Sequence, residues 1–361
     1  IMNAQTIEIR EEETRPLVRG FTLDSEGTYC KESAIQYEQR SVQGITAHVL
    51  RMHITDPSPQ ILNVYNNRVG VWKGGEQRKQ NFLEKITRII IEESPGIFFS
   101  RNARAHMSLM PHAVRETLTV ELWVNDALEL IHGPYIQHTR LVSELRLGFG
   151  DLKEQLRLDS GYFPDMIKGL VAFAEKLCAA QVKKGVSTSK KVEHLYAKYH
   201  ANISEEDFVD LASSVVGEVS VFFNSVLSEY CKKKDVPILY RNVGKKTTKE
   251  VVENVATMYK WAQYLPKTLQ QLFSSKLIST RSTVKEVEAY ECAKESDMFY
   301  STLPVCHAGL RLPQYAAFGA PLRCPVSLIN FLQLSAVALD KEMPFSITDL
   351  GGLSNHINAH I

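Results

Sequence analysis

Few residues in this chain have the types and spacing for metal or nucleophile chemistry, and the clearest chemical clusters are cationic. Lysines come in runs: Lys183 with Lys184, Lys190 with Lys191, Lys232 to Lys234, and Lys245, Lys246 and Lys249. Such runs either line solvated loops or contact phosphates, and the sequence leaves both readings open. Six cysteines (Cys30, Cys178, Cys231, Cys292, Cys306, Cys324) are widely scattered, with no CxxC pair and no metal-ligand spacing. They are expected to be reduced thiols, buried or inert, in a reducing compartment. With 42 basic and 41 acidic side chains the formal charge is +1. Any nucleic-acid surface must therefore be local rather than a basic coat.

A large core must position these groups. At 361 residues and 44% hydrophobic, the chain has material for one domain or two tightly fused ones. Residues 1–20 read as a charged lead-in strand or arm. Residues 34–56 read as a hairpin turning at Gln43-Gly44, with Ile35 and Tyr37 alternating with polar residues. Helical spacing covers 76–93 (Phe82, Ile86, Ile89, Ile90). TLTVELWV alternates strictly, placing Leu118, Val120, Leu122 and Val124 on one strand face. The second half reads helical. Asp165 is placed to cap a helix with the apolar stripe Met166, Ile167, Leu170, Val171, Ala174, Leu177 and Cys178. Ser204 and Asp207 form a capping box before a helix to about Tyr230, and further helices are expected near 247–264 and 283–299. No run of about eighteen uncharged apolar residues occurs, so no membrane span is expected. The sequence opens at Ile1 without a visible signal peptide, compatible with a lost organellar presequence, a cloning boundary or a disordered tail.

The segment CHAGLRLPQYAAFGAPLRCP (306–325) follows the pattern HxGLxLxxYAxFTSPIRRY, with His307, Gly309, Leu310, Leu312, Tyr315, Ala316, Phe318, Pro321 and Arg323 in order and without a gap. FTLDSEGTYCKESAIQYE (21–38) looks like FTIDxxxxxDxDDAIxxE, and MHITDPS (52–58) like VHIADPS. Weaker blocks follow at LVSELRLGFGDL (141–152), EEDFVDLASSVV (205–216), LYRNVG (239–244) and LSNHIN (353–358). Together they resemble the ribonuclease II/R (RNB) exoribonuclease family over about residues 18 to 360. The resemblance implies an α+β fold: a mixed, curved β-sheet surrounded by α-helices, occupying 21–361 after the arm at 1–20. It also implies a channel that threads RNA.

In that family Mg²⁺ held by four closely spaced aspartates drives phosphodiester hydrolysis, since a small hard cation needs several oxygen ligands. Carried across, the four positions are Asp24, Cys30, Glu32 and Ser33. Cysteine is a poor ligand for a hard ion and serine brings no charge. The resemblance therefore implies a degenerate catalytic site with no metal and no cofactor. Read alone, Asp24 has the alternative of capping a turn, and Glu32 that of facing solvent. The family's TSPIRRY becomes GAPLRCP: Arg323 matches the phosphate-neutralising arginine, with a structural ion pair as its alternative, while Gly319 and Ala320 replace two hydroxyls and Cys324 and Pro325 replace an arginine and a tyrosine. Arg241 matches a second family arginine, with Val243 in place of the following histidine, and His307 reads as a hydrogen-bonded structural histidine.

The leading expectation is a noncatalytic RNA-binding or scaffold subunit of an RNA-processing assembly. It would hold a single strand, or its end, through Arg323, Arg241, Lys245, Lys246 and Tyr315. Its setting is expected to be the mitochondrial matrix, with the cytoplasm as the alternative. Partner subunits, a paralogue or a second copy, are expected because the family's flanking OB-fold modules do not appear in this sequence. SLINFLQLSAVALDKEMPFSI (327–347) is then either an uncovered apolar surface or ordinary core. Two alternatives are a protein–protein module without RNA, and a residual exonuclease using Asp24 and Glu32 with Asp56 or Asp207.

Overall fold

Alternating side chains organise the first half of the chain into a barrel. The computed structural model describes residues 15–42, 44–58, 61, 76–91, 98–201, 203–244 and 297–358. Strands β1 (Leu17–Asp24), β2 (Ser33–Val42), β3 (Ile45–Thr55), β4 (Val114–Val124) and β5 (Leu130–Gly148) close in that order. Neighbours are antiparallel except at the closure, where β1 lies parallel to β5. The curved sheet expected from the sequence is thus a closed one, and β1 already begins at Leu17, inside the arm expected at 1–20. The hairpin pairs from Ser33↔Ile54 to Val42↔Ile45, with Gly44 at φ +80° supplying the left-handed turn residue. Gln43 lies outside the described residues.

The two barrel faces have different chemistry. Phe21, Ile35, Leu50, Met52, Leu118 and Val120 are buried on one face. It packs against helices, and because five strands enclose too little space for a helix, it is the outer face. The inner face carries small and polar side chains. His53 Nδ1 and Thr119 Oγ1 are 2.8 Å apart, and the Thr139 hydroxyl lies 2.7 Å from Thr117 and 2.6 Å from Thr119. Burial pushes His53 down to about 3, so it stays neutral. At the β1 bulge, a Cβ on Gly20 would meet His53 Cδ2 and the Ile35 carbonyl oxygen, each at 3.2 Å, a tight fit in which a neighbour would have to shift by a few tenths of an ångström.

Eight helices are described: α1 (Glu76–Ile91), α2 (Arg101–Met107), α3 (Leu152–Arg157), α4 (Tyr162–Lys183), α5 (Ser187–Ala201), α6 (Glu205–Lys233), α7 (Pro325–Ala338) and α8 (Ile347–Asn358). All seven residues of the expected α4 stripe are buried. The helix starts a turn earlier than expected, however, with Gly161 as its cap and Asp165 in the first turn, accepting from the Gly161 N–H at 3.3 Å. Ser204 caps α6 and accepts from the Asp207 N–H at 3.1 Å. Against expectation, α6 carries an eighteen-residue window of mean hydropathy 1.4, enough by length and composition to cross a membrane. Its Phe208, Leu211, Val215, Val219, Phe223 and Leu227 instead pack into the chain's own core.

The helix expected over 283–299 is corrected at its end. Asp297–Ser301 is a strand, β7, antiparallel to β6 (Tyr240–Gly244), where tertiary pairing overrides local helical spacing. Residues 245–296, including the helix expected at 247–264 and both Lys245 and Lys246, lie outside the described residues. Of the apolar segment 327–347, the helical part proves to be core, while Leu339–Glu342 is exposed. Every residue of α7 from Val326 to Ala336 is buried. Its polar members are satisfied: Asn330 binds the Leu239 N–H and carbonyl at 2.8 and 2.9 Å, and Gln333 donates to Pro237 and Phe345.

Helix α4 approaches the barrel closely at Gly169, where an added Cβ would overlap the ring of buried Tyr37. Tyr37 is itself held by His48, 2.8 Å from its hydroxyl. Gly169→Ala is expected to destabilise the fold by about 1–3 kcal/mol, the range for overpacking a filled core, read from the urea midpoint at unchanged m-value. A neutral or stabilising result would mean that α4 does not press on Tyr37.

Candidate functional site

The loop between β1 and β2 carries the positions where metal ligands were sought, and neighbouring backbone fixes it rigidly. The Lys31 N–H donates to Ser108 Oγ at 2.9 Å, the Lys31 carbonyl accepts from the Leu109 N–H at 2.9 Å, and the Cys30 thiol donates to the Arg104 carbonyl at 3.4 Å. The Glu32 carbonyl accepts from the Thr55 N–H at 2.8 Å. With both sides pinned, Lys31 and Glu32 turn their side chains inward.

Glu32 is 3% exposed and does not face solvent. One carboxylate oxygen accepts from the Leu322 N–H at 2.6 Å and the other lies 3.3 Å from Arg323 Nε. The blocks at 21–38 and 306–325 therefore meet in space. Burial nevertheless raises the Glu32 carboxyl to about 7, because Arg323 and the two backbone donors only partly offset lost hydration. Asp24 caps no turn; its Oδ2 lies 3.7 Å from Lys31 Nζ, an ion-pair contact too long for a hydrogen bond. Burial lifts its carboxyl above the ordinary value despite Lys31, Arg323 and Arg146. Burial likewise lowers the Lys31 ammonium, which is 1% exposed. Cys30 is buried and pushed up to about 11, a thiol rather than a thiolate, and Ser33 simply begins β2 opposite Ile54.

This donor set does not fit a hard divalent cation. Glu32 accepts from the Leu322 N–H and pairs with Arg323, and the Asp24 carboxylate, its Oδ2 buried without a hydrogen bond, faces the Lys31 ammonium and no second free carboxylate. Among the described residues no group of three or more acidic, His or Cys side chains has metal-holding proximity. Lys31 was not singled out in the sequence, since lysine is ordinarily exposed and its burial is set by the Ser108 and Leu109 contacts.

Of the expected RNA contacts, Arg323 is 57% exposed beside Glu32, and Arg241 is exposed on β6, its N–H donating to the Tyr315 carbonyl at 2.8 Å. Tyr315 is nearly buried; its hydroxyl accepts from Asn224 Nδ2 at 3.0 Å and its ring meets His307 edge-on. His307 accepts from the Leu310 N–H, and burial lowers it to about 4. Asp56 and Asp207 are engaged elsewhere. Asp56 accepts from Arg15 at 3.1 Å and from the Ser58 N–H at 2.9 Å, and Asp207 pairs with Lys198 at 2.8 Å. Asp56 also lies 3.1 Å from His138 Nδ1, while His138 Nε2 lies 2.9 Å from Ser335 Oγ. That spacing is familiar from hydrolases, but Ser335 is 0% exposed and out of a substrate's reach. The network fastens α7 to β5.

The sequence model of the RNB domain matches residues 98–339. The chain belongs to the RNB domain family. The match starts downstream of Asp24–Ser33, so the assignment of that block rests on the sequence resemblance alone. No curated protein matches the chain. Mycoplasma genitalium RNase R in complex with ribose-methylated single-stranded RNA has a similar fold at 12% identity and TM-score 0.60, covering 99% of this chain and 57% of that one. The Candida glabrata Dss1 exoribonuclease active-site mutant D477N is similar at 15% identity and TM-score 0.62, covering 96% and 44%. Yeast Ssd1, a pseudonuclease, is similar at 16% identity and TM-score 0.60, covering 97% and 43%. This RNB domain thus spans between two fifths and three fifths of these relatives.

The Glu32 environment makes a signed prediction. Its folded value near 7 stands above the ordinary 4.5, so the folded state binds the extra proton and stability falls as pH rises from about 4.5 through 7. Glu32→Gln keeps an acceptor for the Leu322 N–H and removes the titration. It should match the parent near pH 4.5 and gain on it by pH 8, by on the order of 1–3 kcal/mol, in urea titrations at several pH values. A constant difference across that range would place Glu32 in a hydrated setting.

Proposed function

We propose that this RNB domain is a noncatalytic RNA-binding unit that works within an RNA-processing assembly. The observation that carries the reading is the replacement of a carboxylate cluster by two carboxylates, Asp24 and Glu32, each facing a cation of the chain, Lys31 and Arg323. Hydrolysis by two metals needs several anionic oxygens to hold them, whereas an exposed arginine with a fixed carboxylate partner, as Arg323 has in Glu32, is pre-set to meet phosphate. The fold relatives lend support: RNase R appears in complexes with single-stranded and with double-stranded RNA, and Ssd1 is described as a pseudonuclease. Binding by Arg323 and Arg241 alone is modest, so useful affinity draws on a neighbouring subunit, a paralogue or a second copy, that adds its own contacts. The five described cysteines are free thiols, in keeping with a reducing compartment, the mitochondrial matrix or the cytoplasm.

Two measurements test the reading. Incubated with single-stranded RNA and Mg²⁺ or Mn²⁺, the protein is expected to release no nucleotides; release that Asp24→Ala abolishes would overturn it. In fluorescence anisotropy, RNA binding should weaken with salt at a log–log slope of about −2 to −3.5, as for roughly three to five phosphate contacts. Arg323→Ala should cost about 1.5–3 kcal/mol of binding, the value of one charged hydrogen bond, with the variant still folded. Unchanged affinity would remove Arg323 from the interface, and no RNA binding at any salt would favour a protein–protein module.

A further inference from the structure

Two of the lysine pairs bracket a cavity that the site at Glu32 does not use. It has a volume of about 190 Å³ and opens between α4, α5 and α6. An apolar cavity of about 150 Å³ takes a benzene ring, so this one has room for a single small ring system. Val192, Val221 and Leu310 give it apolar walls. On α6 the lining residues Ser214, Gly217, Glu218 and Val221 recur at the spacing of one helix face. Gly217 is exposed there, and an added Cβ would meet nothing within 4 Å. Glycine weakens a helix interior relative to alanine, and no neighbour asks for one here; what the missing side chain leaves is space.

Two polar groups of the lining lack the partners that burial calls for. Glu218 Oε1 accepts from the Ser189 hydroxyl at 2.7 Å, and among the described residues no cation pairs with the carboxylate. Burial raises it above its ordinary value, with only that hydroxyl holding it down. Gln181 Oε1 is buried and accepts no hydrogen bond. The chain on either side of this lining is basic. Lys183 ends α4 and Lys184 caps it, Lys190 and Lys191 lie in the first turns of α5, and Val186 and Ser189 of the lining stand between the two pairs. All four lysines are exposed. Lys153, Lys176 and Lys198 pair with carboxylates, and among the described residues these four do not.

We propose that this cavity is a nucleotide pocket that takes a guanine base of single-stranded RNA, with the lysine pairs binding the adjoining phosphates. The inference deepens the RNA-binding reading above and rests on it. Guanine is the base whose Watson–Crick edge presents two neighbouring donors, N1–H and the exocyclic N2 amine, and a carboxylate accepts such a fork in two parallel bonds. Adenine and cytosine offer one exocyclic amine beside an acceptor ring nitrogen, and uracil one N–H between two carbonyls. Each of these would set an acceptor against the carboxylate. The valine and leucine walls cover the faces of the ring, as an unstacked base requires. An arginine side chain of a partner protein would satisfy the same acceptors, but four unpaired lysines repel a cation and attract a polyanion.

The test uses the full chain and an oligouridine whose central residue is uridine, guanosine or inosine, which lacks the exocyclic amine. Anisotropy titrations are expected to show about tenfold tighter binding with guanosine, within the range for one bidentate base contact, and inosine in between. Glu218→Gln keeps an acceptor for Ser189 and removes the charge, and Gly217→Leu sets a helix-favouring side chain across the mouth. Each should erase the preference and leave oligouridine binding as it was. Gly217 is exposed on its helix, so its variant carries the test if Glu218→Gln fails to fold. Lys184→Gln combined with Lys190→Gln should weaken all three RNAs alike and make the log–log salt slope shallower by about 1.4, as for two contacts to a single strand. Equal or weaker binding with guanosine, or a preference that either folded pocket variant retains, overturns the guanine pocket and leaves the RNA-binding reading standing. Should no RNA bind, that reading falls, and saturation-transfer NMR with guanosine 5′-monophosphate decides the cavity. Transfer to the base that Gly217→Leu abolishes supports the pocket; transfer to N-acetylarginine amide instead, or to neither probe, overturns it.

Discussion

The parallel pairing of β1 with β5 is the constraint on which the rest of the molecule depends. It closes the sheet, from Leu17↔Arg140 to Asp24↔Gly148, and so delivers Asp24 to the rim alongside Arg146. The closing pair carries a bulge at Gly20, where His53 and the Ile35 carbonyl leave little room for a side chain. The narrow interior is filled mostly by small or hydrogen-bonded groups, with Leu141 packed against Ala34 among them. Larger apolar side chains such as Phe21, Met52 and Leu118 face outward, where α4, α6 and α7 cover them.

That arrangement explains why the site is both rigid and charged. The β1–β2 loop is fastened to the end of α2 by Ser108 and Leu109, and the turn before α7 brings the Leu322 N–H to Glu32. Groups that would be hydrated on a surface are enclosed together, so each carboxylate is tolerable only with a cation at hand. Lys31 and Arg323 answer that requirement from within the chain. Substituting one of them would leave an opposite charge without its partner.

The polar members of the core serve placement rather than chemistry. Asp56, His138 and Ser335 lock α7 against β5, and Asn330 and Gln333 take up the free backbone groups around Leu239 and Phe345. These contacts decide where Arg323, which directly precedes α7, enters the rim. A helix buried on every side carries no amphipathic signal of its own, which is why segment 327–347 could be read equally as surface or core until its neighbours were known.

The sequence by itself determined the strand alternation at 117–124, the hairpin at Gly44, the buried stripe of α4 and the Ser204 cap, because each depends on spacing within a few residues. Its ordered blocks also brought out the family and the positions Asp24, Cys30, Glu32, Ser33 and Arg323. Only the tertiary structure decided that Glu32 is enclosed, that 297–301 is a strand, and that α4 starts at Tyr162. It alone placed Lys31 inside and Arg104 and Arg146 around the same rim. Burial and pairing across distant segments are sums over residues far apart in the chain, and no short-range pattern encodes them.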